Sequence, residues 1–201
     1  MATRVTLPAS RFAPVQEARH GQPSVIADVR QKNMAHLSEQ LVEEYYNRQR
    51  YLTIRGAKQG VGESDILAIR YAVPSCEALH IEVQTSFRPV AYLSNGNAGA
   101  GTRSDKEVDS EMGAWFEKKF IGKNKVKLRQ SVWPKVEWKF VFVHGRMKDP
   151  RELDFLMKNN VELICFSKIL LGVTEKVKRG DFTASSGGDL SEILRYHREE
   201  N

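Results

Sequence analysis

The sequence predicts an α/β domain, a central mixed sheet of four to five strands flanked by helices. Apolar residues recur at helical spacing in two long segments, around residues 33–50 and 105–120. Several shorter runs alternate apolar and polar residues, or are apolar throughout, as strands do. The two kinds of segment follow one another as helix, three strands, helix, strand, helix, strand.

Residues 1–32 show no sustained periodicity and contain Pro8, Pro14 and Pro23, so they read as an N-terminal arm. Their first 22 residues have no continuous apolar core, and no secretory signal is expected there. A helix is expected from Asn33 to about Arg50, with Met34, Leu37, Leu41, Val42, Tyr45 and Gln49 on one face. A short strand over 51–55 follows, then a glycine-rich turn over 56–62 and a strand over 64–71. Residues 72–77 contain Pro74 and connect to a second, cleanly alternating strand over 79–86. Residues 95–101 form a glycine-rich loop without the Gly-Lys-Ser/Thr ending of a phosphate-cradling loop.

The second helix should span 105–120, with Val108, Met112, Trp115 and Phe116 on its apolar side. Residues 138–144 read as a strand, and Asp149 with Pro150 opens a third helix that runs to Asn159. A strand over 161–166 and a short helix over 168–171 complete the domain. Residues 185–188 are linker-like, and Asp189 is placed to cap a last short helix to Glu199. The expected organisation is therefore an arm (1–32), one domain (33–173), and a C-terminal linker with a short helix (174–201).

A length of 201 residues and a hydrophobic fraction of 41% suit one domain with a real core. The net charge of +6 and pI of about 9.3 favour a polyanionic partner, nucleic acid above all. Cys76 and Cys165 stand far apart with no metal-ligand spacing, which argues against a structural zinc or a disulfide framework. Cys165 lies in an apolar run and is expected to be buried. No stretch is long and apolar enough to cross a membrane, and an intracellular, cytoplasmic setting is expected.

The chemistry concentrates in two runs, residues 62–69 and 80–84. Asp65 opens an otherwise apolar strand. Glu82 and Gln84 are two apart, so they project from one face while Ile81 and Val83 pack on the other. With Asp65 level with Glu82, two carboxylates on adjacent strands suit one hard divalent cation, Mg2+ or Mn2+. The same alternation also describes any half-exposed strand. His80 shares the face and reads as a structural histidine bordering the site.

Ser64-Asp65 followed by Glu82-Val83-Gln84 resembles the PD-(D/E)xK signature of the restriction-endonuclease-like nucleases, a superfamily that includes type II restriction enzymes and archaeal Holliday-junction resolvases. Residues 62–66, Gly-Glu-Ser-Asp-Ile, also resemble a run found in a bacterial family of small predicted nucleases. The resemblance implies a restriction-endonuclease-like core and Mg2+-dependent hydrolysis of phosphodiester bonds, in DNA rather than RNA. It implies that Asp65 and Glu82 bind the metal, that Val83 offers its backbone carbonyl, and that Gln84 positions the attacking water. It also points to Glu39, on the upstream helix, as an organiser of the metal site; the same residue suits a solvated surface charge. Ser64 replaces the usual proline and Gln84 the usual lysine, and the second change removes a charge that would stabilise the phosphate in its transition state.

Arg55, Lys58, Arg88, Lys123, Lys125 and Lys127 are the candidates for tracking a nucleic-acid backbone. Cutting both strands of a duplex with one site per chain would favour a homodimer. Two other functions fit the same residues: a nucleic-acid-binding module whose site Gln84 has weakened, and an interaction subunit of a DNA defence or repair complex.

Overall fold

The computed structural model describes residues 25–60, 62–72, 75–85, 92–94 and 103–178. Its elements in chain order are α1 (Val25–Asn47), β1 (Leu52–Gln59), β2 (Gly62–Ala72), β3 (Ser75–Gln84) and α2 (Asp105–Phe116). A π-helical turn (Glu117–Ile121) then leads to α3 (Lys123–Val132), β4 (Trp138–His144), α4 (Pro150–Lys158), β5 (Val161–Cys165) and α5 (Phe166–Lys178). The five strands make one sheet in the order β1-β2-β3-β4-β5. The β1-β2-β3 pairings are antiparallel and the β3-β4-β5 pairings parallel, so the sheet is mixed.

Alternation along the strands divides the side chains between two helical layers. Ile66, Ala68, Leu79, Ile81, Val141, Val143 and Ile164 face α1 and α5, where they pack with Leu41, Val42, Tyr46, Ile169 and Val173. On the opposite face Phe142 and Val161 pack with Val108, Met112 and Phe116 of α2, Phe120 of the π-turn and Leu156 of α4. Leu67 and Ala57 meet Leu128 of α3 on that same side. Asp65, His80, Glu82 and Gln84 share the parity of Leu67 and so belong to the α2–α3 side.

The helix starts follow local chemistry. Ser104 caps α2 in a reciprocal capping box with Glu107, and Asp149 caps α4 with Pro150 in the first turn. Elsewhere the structure moves the expected bounds. Helix α1 starts at Val25, inside the segment expected to be an arm, two residues beyond Pro23. Strand β1 runs through Gly56 to Gln59 because its pairing with β2 continues to the Gln59–Gly62 pair. Gly56 and Gly60 take positive φ (61° and 59°), conformations that glycine adopts without cost. The β2-β3 connection is tighter than expected, since Ala72 pairs with Ser75. Helix α5 continues past residue 173 to Lys178, and α3 occupies a segment with no expected element, the one that holds the candidates Lys123, Lys125 and Lys127. Cys165 is exposed rather than buried, because it ends the edge strand β5; it lies 3.1 Å from the Ser167 hydroxyl. The expected loop over 95–101 and the expected C-terminal helix over 189–199 lie outside the described residues.

Candidate active site

The β2-β3 register that pairs Ile66 with Ile81 sets Asp65 opposite Glu82. Cross-strand partners in an antiparallel pair project from the same face, roughly 5 Å apart at Cβ. Asp65 is fixed by the Val83 backbone N–H, which donates to its Oδ2 at 2.8 Å. Gln84, two residues beyond Glu82, is half-buried, and its backbone carbonyl accepts from Gly145 N–H at 3.1 Å. The site thus sits where the parallel strands β3 and β4 end, the edge of an α/β sheet at which ligands generally bind.

Glu82 is the buried centre of the group, at 1% exposure. Its Oε1 accepts from Lys125 Nζ at 2.6 Å and from His80 Nε2 at 2.9 Å, and its Oε2 accepts from Lys119 Nζ at 2.7 Å. Arg129 Nη1 lies 2.7 Å from His80 Nδ1 and donates to the Phe120 carbonyl at 2.6 Å. A guanidinium only donates, so His80 Nδ1 accepts and the ring proton sits on Nε2, directed at Glu82. That fixes a neutral histidine, and burial holds its pKa below the ordinary value in agreement.

The two carboxylates are driven apart in acidity. Burial, and after it the charge of Glu82, push Asp65 up to about 7. Burial works against Glu82 as well, but the His80 hydrogen bond and the charges of Lys119 and Lys125 outweigh it and hold Glu82 at about 2. Lys119 itself is raised: burial opposes its charge, while Glu82 and Asp65 favour it more strongly.

Both lysines come from the helical layer above the sheet. Lys119 lies in the π-helical turn, and such turns re-aim side chains relative to a regular helix. Lys125 lies in the first turn of α3 and also reaches the Glu63 carbonyl. Lys118, Lys119, Lys123, Lys125 and Glu63 line an open cavity of about 570 Å³ beside Glu82.

The expected residues fare differently. Asp65, Glu82 and Gln84 come together, and the Val83 side chain joins the α1–α5 core. Glu39 of α1 is partly buried and stands close enough that its charge raises Asp65 and feels Lys119, although burial is the main reason its own pKa is raised. Lys125 is corrected from a surface contact to a buried site residue, 6% exposed, because its ammonium finds Glu82 beneath α3. Lys123 and Lys127 are exposed, Arg55 pairs with Glu43 at 3.5 Å and Lys58 with Glu63 at 3.3 Å. Arg88 lies outside the described residues. Sequence reasoning missed Lys119, Lys125 and Arg129 as members of the site; an i, i+4 spacing of Lys125 and Arg129 on one face was the available signal.

A divalent cation fits the donor set in part. Asp65 and Glu82 supply hard oxygens that repel each other, a repulsion that such a cation would relieve. Among the described residues no group of three or more His, Cys, Asp or Glu side chains is placed to hold a metal. Magnesium typically takes only one or two protein carboxylates and keeps its waters.

No family model and no curated protein matches the chain. Among solved structures it is similar to a protein of unknown function, AF1548, at 14% identity and a TM-score of 0.42, over 80% of this chain and 88% of that one. It is similar also to the restriction endonuclease FokI bound to DNA (14% identity, TM-score 0.40), over 83% of this chain but 27% of FokI. The likeness to the MspJI restriction endonuclease in complex with a 27-mer oligonucleotide has 15% identity and a TM-score of 0.36, over 91% of this chain and 38% of that one. No helix among the described residues is long and apolar enough to cross a membrane.

Proposed function

We propose that the chain is a metal-dependent endonuclease that hydrolyses phosphodiester bonds in DNA, with Asp65 and Glu82 as its metal-holding pair. The observation that carries the reading is the opposed pair itself: two carboxylates on adjacent strands, one of them buried and already attracting cations on both oxygens. The motif Ser64-Asp65 with Glu82-Val83-Gln84 supports it, as does the basic cavity next to Glu82.

In this reading Asp65 and Glu82 would hold Mg2+ or Mn2+, with the Val83 carbonyl as a further oxygen and Glu39 acting through water from the rim. The bound cation would supply Lewis acidity toward the scissile phosphate and lower the pKa of a nearby water. The chain's own groups do the rest. Val83 N–H fixes the direction of the Asp65 carboxylate. Gln84, on the same strand face, orients the attacking water by hydrogen bonding. In the metal-free protein Lys119 brings a positive charge to Oε2 of Glu82, in a motif whose usual lysine is replaced by Gln84. Exposed Lys118, Lys123 and Lys127 hold the phosphate backbone.

One observation favours a second reading. Glu82 is already neutralised by internal ammonium groups, which suits a fold retained for nucleic-acid binding alone. A substrate panel separates the two: linear duplex, supercoiled plasmid, single strand, branched junction and RNA, each with Mg2+ or Mn2+, against an Asp65→Ala/Glu82→Ala protein. Metal-dependent cutting that vanishes in the double variant supports the nuclease and names its substrate class. Salt-sensitive binding without cutting supports the binding module.

A further inference from the structure

Glu82 carries more cationic partners than one carboxylate needs, and the two lysines are held very differently. Lys125 is 7% exposed at its side chain, and besides Glu82 Oε1 it is bound to the Glu63 carbonyl. It is part of the interior. Lys119 is 29% exposed at its side chain, and it approaches the other oxygen, Oε2, from the rim of the cavity. His80 shares Oε1 with Lys125 and is itself fixed by Arg129. The Oε1 side of Glu82 is thus closed by buried groups, whereas among the described residues the partner of Oε2 is Lys119, a partly exposed side chain on a long stem. A cation bridging Asp65 and Glu82 through Oε2 would meet the Lys119 ammonium there.

We infer that Lys119 and a divalent metal ion compete for Oε2 of Glu82, so that the lysine ammonium holds the metal position in the resting protein and is turned out toward the adjoining cavity when metal arrives. The inference rests on the metal-site reading of Asp65 and Glu82 and deepens it. The exchange keeps Glu82 charge-compensated at every stage, which a buried carboxylate requires. It also explains how a site with Gln84 in the motif obtains a mobile positive charge: metal binding releases the Lys119 ammonium on the side where Lys118 and Lys123 line the same cavity. Competition for one oxygen is reciprocal, so each cation weakens the other's hold by the same factor.

The test is Mn2+ binding, followed by calorimetry and by loss of the free-ion electron paramagnetic resonance signal, in four proteins: wild type, Lys119→Met, Lys119→Arg and Asp65→Ala/Glu82→Ala. Lys119→Met removes the competitor at a partly exposed position and is expected to bind Mn2+ roughly tenfold more tightly than wild type. Lys119→Arg, which keeps the charge, should stay near wild type. Acylation of Lys119, read by peptide mass spectrometry of the wild-type protein, should rise when Mn2+ is added, and this readout needs no variant to fold. Unchanged or weaker Mn2+ binding by Lys119→Met, or Lys119 labelling that ignores Mn2+, overturns the competition. If those negative results come with a double variant that has lost Mn2+, the competition fails and the metal site stands. If the double variant binds Mn2+ as wild type does, the metal site fails and the competition falls with it.

Discussion

Glu82 shows how a single buried carboxylate can organise a site. At 1% exposure it would be costly to ionise alone, and His80, Lys119 and Lys125 supply the compensation. The pieces are not equivalent. Removing one partner from a buried charge cluster leaves the other uncompensated, which typically costs about 3–5 kcal/mol. Lys125→Met is therefore expected to lower the unfolding free energy by about 3 kcal/mol in urea denaturation, toward the lower end because Lys119 and His80 remain. Lys119→Met, on the rim, should cost far less in the same measurement. At this scale the sequence was half legible. Period-two spacing put Glu82 and Gln84 on one face, and a short motif tied them to Asp65. The cations opposite them lie 37 and 43 residues further along the chain, and nothing in a strand's own pattern reveals what a distant helix lays over it.

At the scale of elements, the segment from α2 to α3 does the positioning. Val108, Met112, Phe116 and Phe120 keep an apolar stripe at intervals of four through the π-turn, so Lys119 is carried to the edge of that stripe. Gly122 then closes the turn, its N–H donating to the Glu117 carbonyl at 2.6 Å. A Cβ at Gly122 would stand 2.9 Å from that same carbonyl oxygen, a backbone atom that cannot step aside without opening the turn. Gly122→Ala should therefore destabilise the protein by roughly 1–3 kcal/mol by thermal denaturation, and should weaken the Lys119–Glu82 contact with it. The same segment explains where sequence reading stopped. Apolar periodicity found α2, but the inward residues of α3 are Lys125, Leu128 and Arg129. A buried stripe that is mostly cationic looks like a solvated basic run. For the opposite reason α4 was plain, since an Asp149 cap and Pro150 announce a helix start regardless of what it packs on.

On the scale of the whole molecule, two faces of one sheet serve different ends. The α1–α5 side packs an apolar cluster with the buried Glu44–Arg48 ion pair tied to the Val173 carbonyl of α5, whereas the α2–α3 side gives up part of its apolar packing to hold the site. The opposite end of the sheet has its own electrostatic clamp. Glu77 accepts from Tyr51 Oη at 2.7 Å, from Lys139 Nζ at 3.0 Å and from Arg70 Nη2 at 2.7 Å, linking β2, β3 and β4. The Tyr51 hydrogen bond, then that of Lys139, brings Glu77 down to about 2 from its ordinary 4.5. A carboxyl whose folded pKa is depressed contributes stability that is present above about pH 4.5 and lost as the pH falls toward 2. Wild type should accordingly lose melting temperature across that window more steeply than Glu77→Gln, and equal slopes would show that the Glu77 clamp contributes nothing to stability. The overall α/β class and the mixed sheet were legible because helix and strand periods differ along the chain; the layer to which each helix belongs was not, because it depends on pairings between distant strands.

The proposed function requires Asp65 and Glu82 to act together on a phosphodiester, and nicking of supercoiled plasmid tests this most directly. Wild type, Asp65→Asn and Glu82→Gln would be compared with Mg2+ and with chelator, each protein first shown to be folded by circular dichroism. Wild type is expected to nick in an Mg2+-dependent manner that chelator abolishes, and nicking should fall by about a thousandfold or more in both variants. Nicking by Asp65→Asn at the wild-type rate would contradict the proposed function.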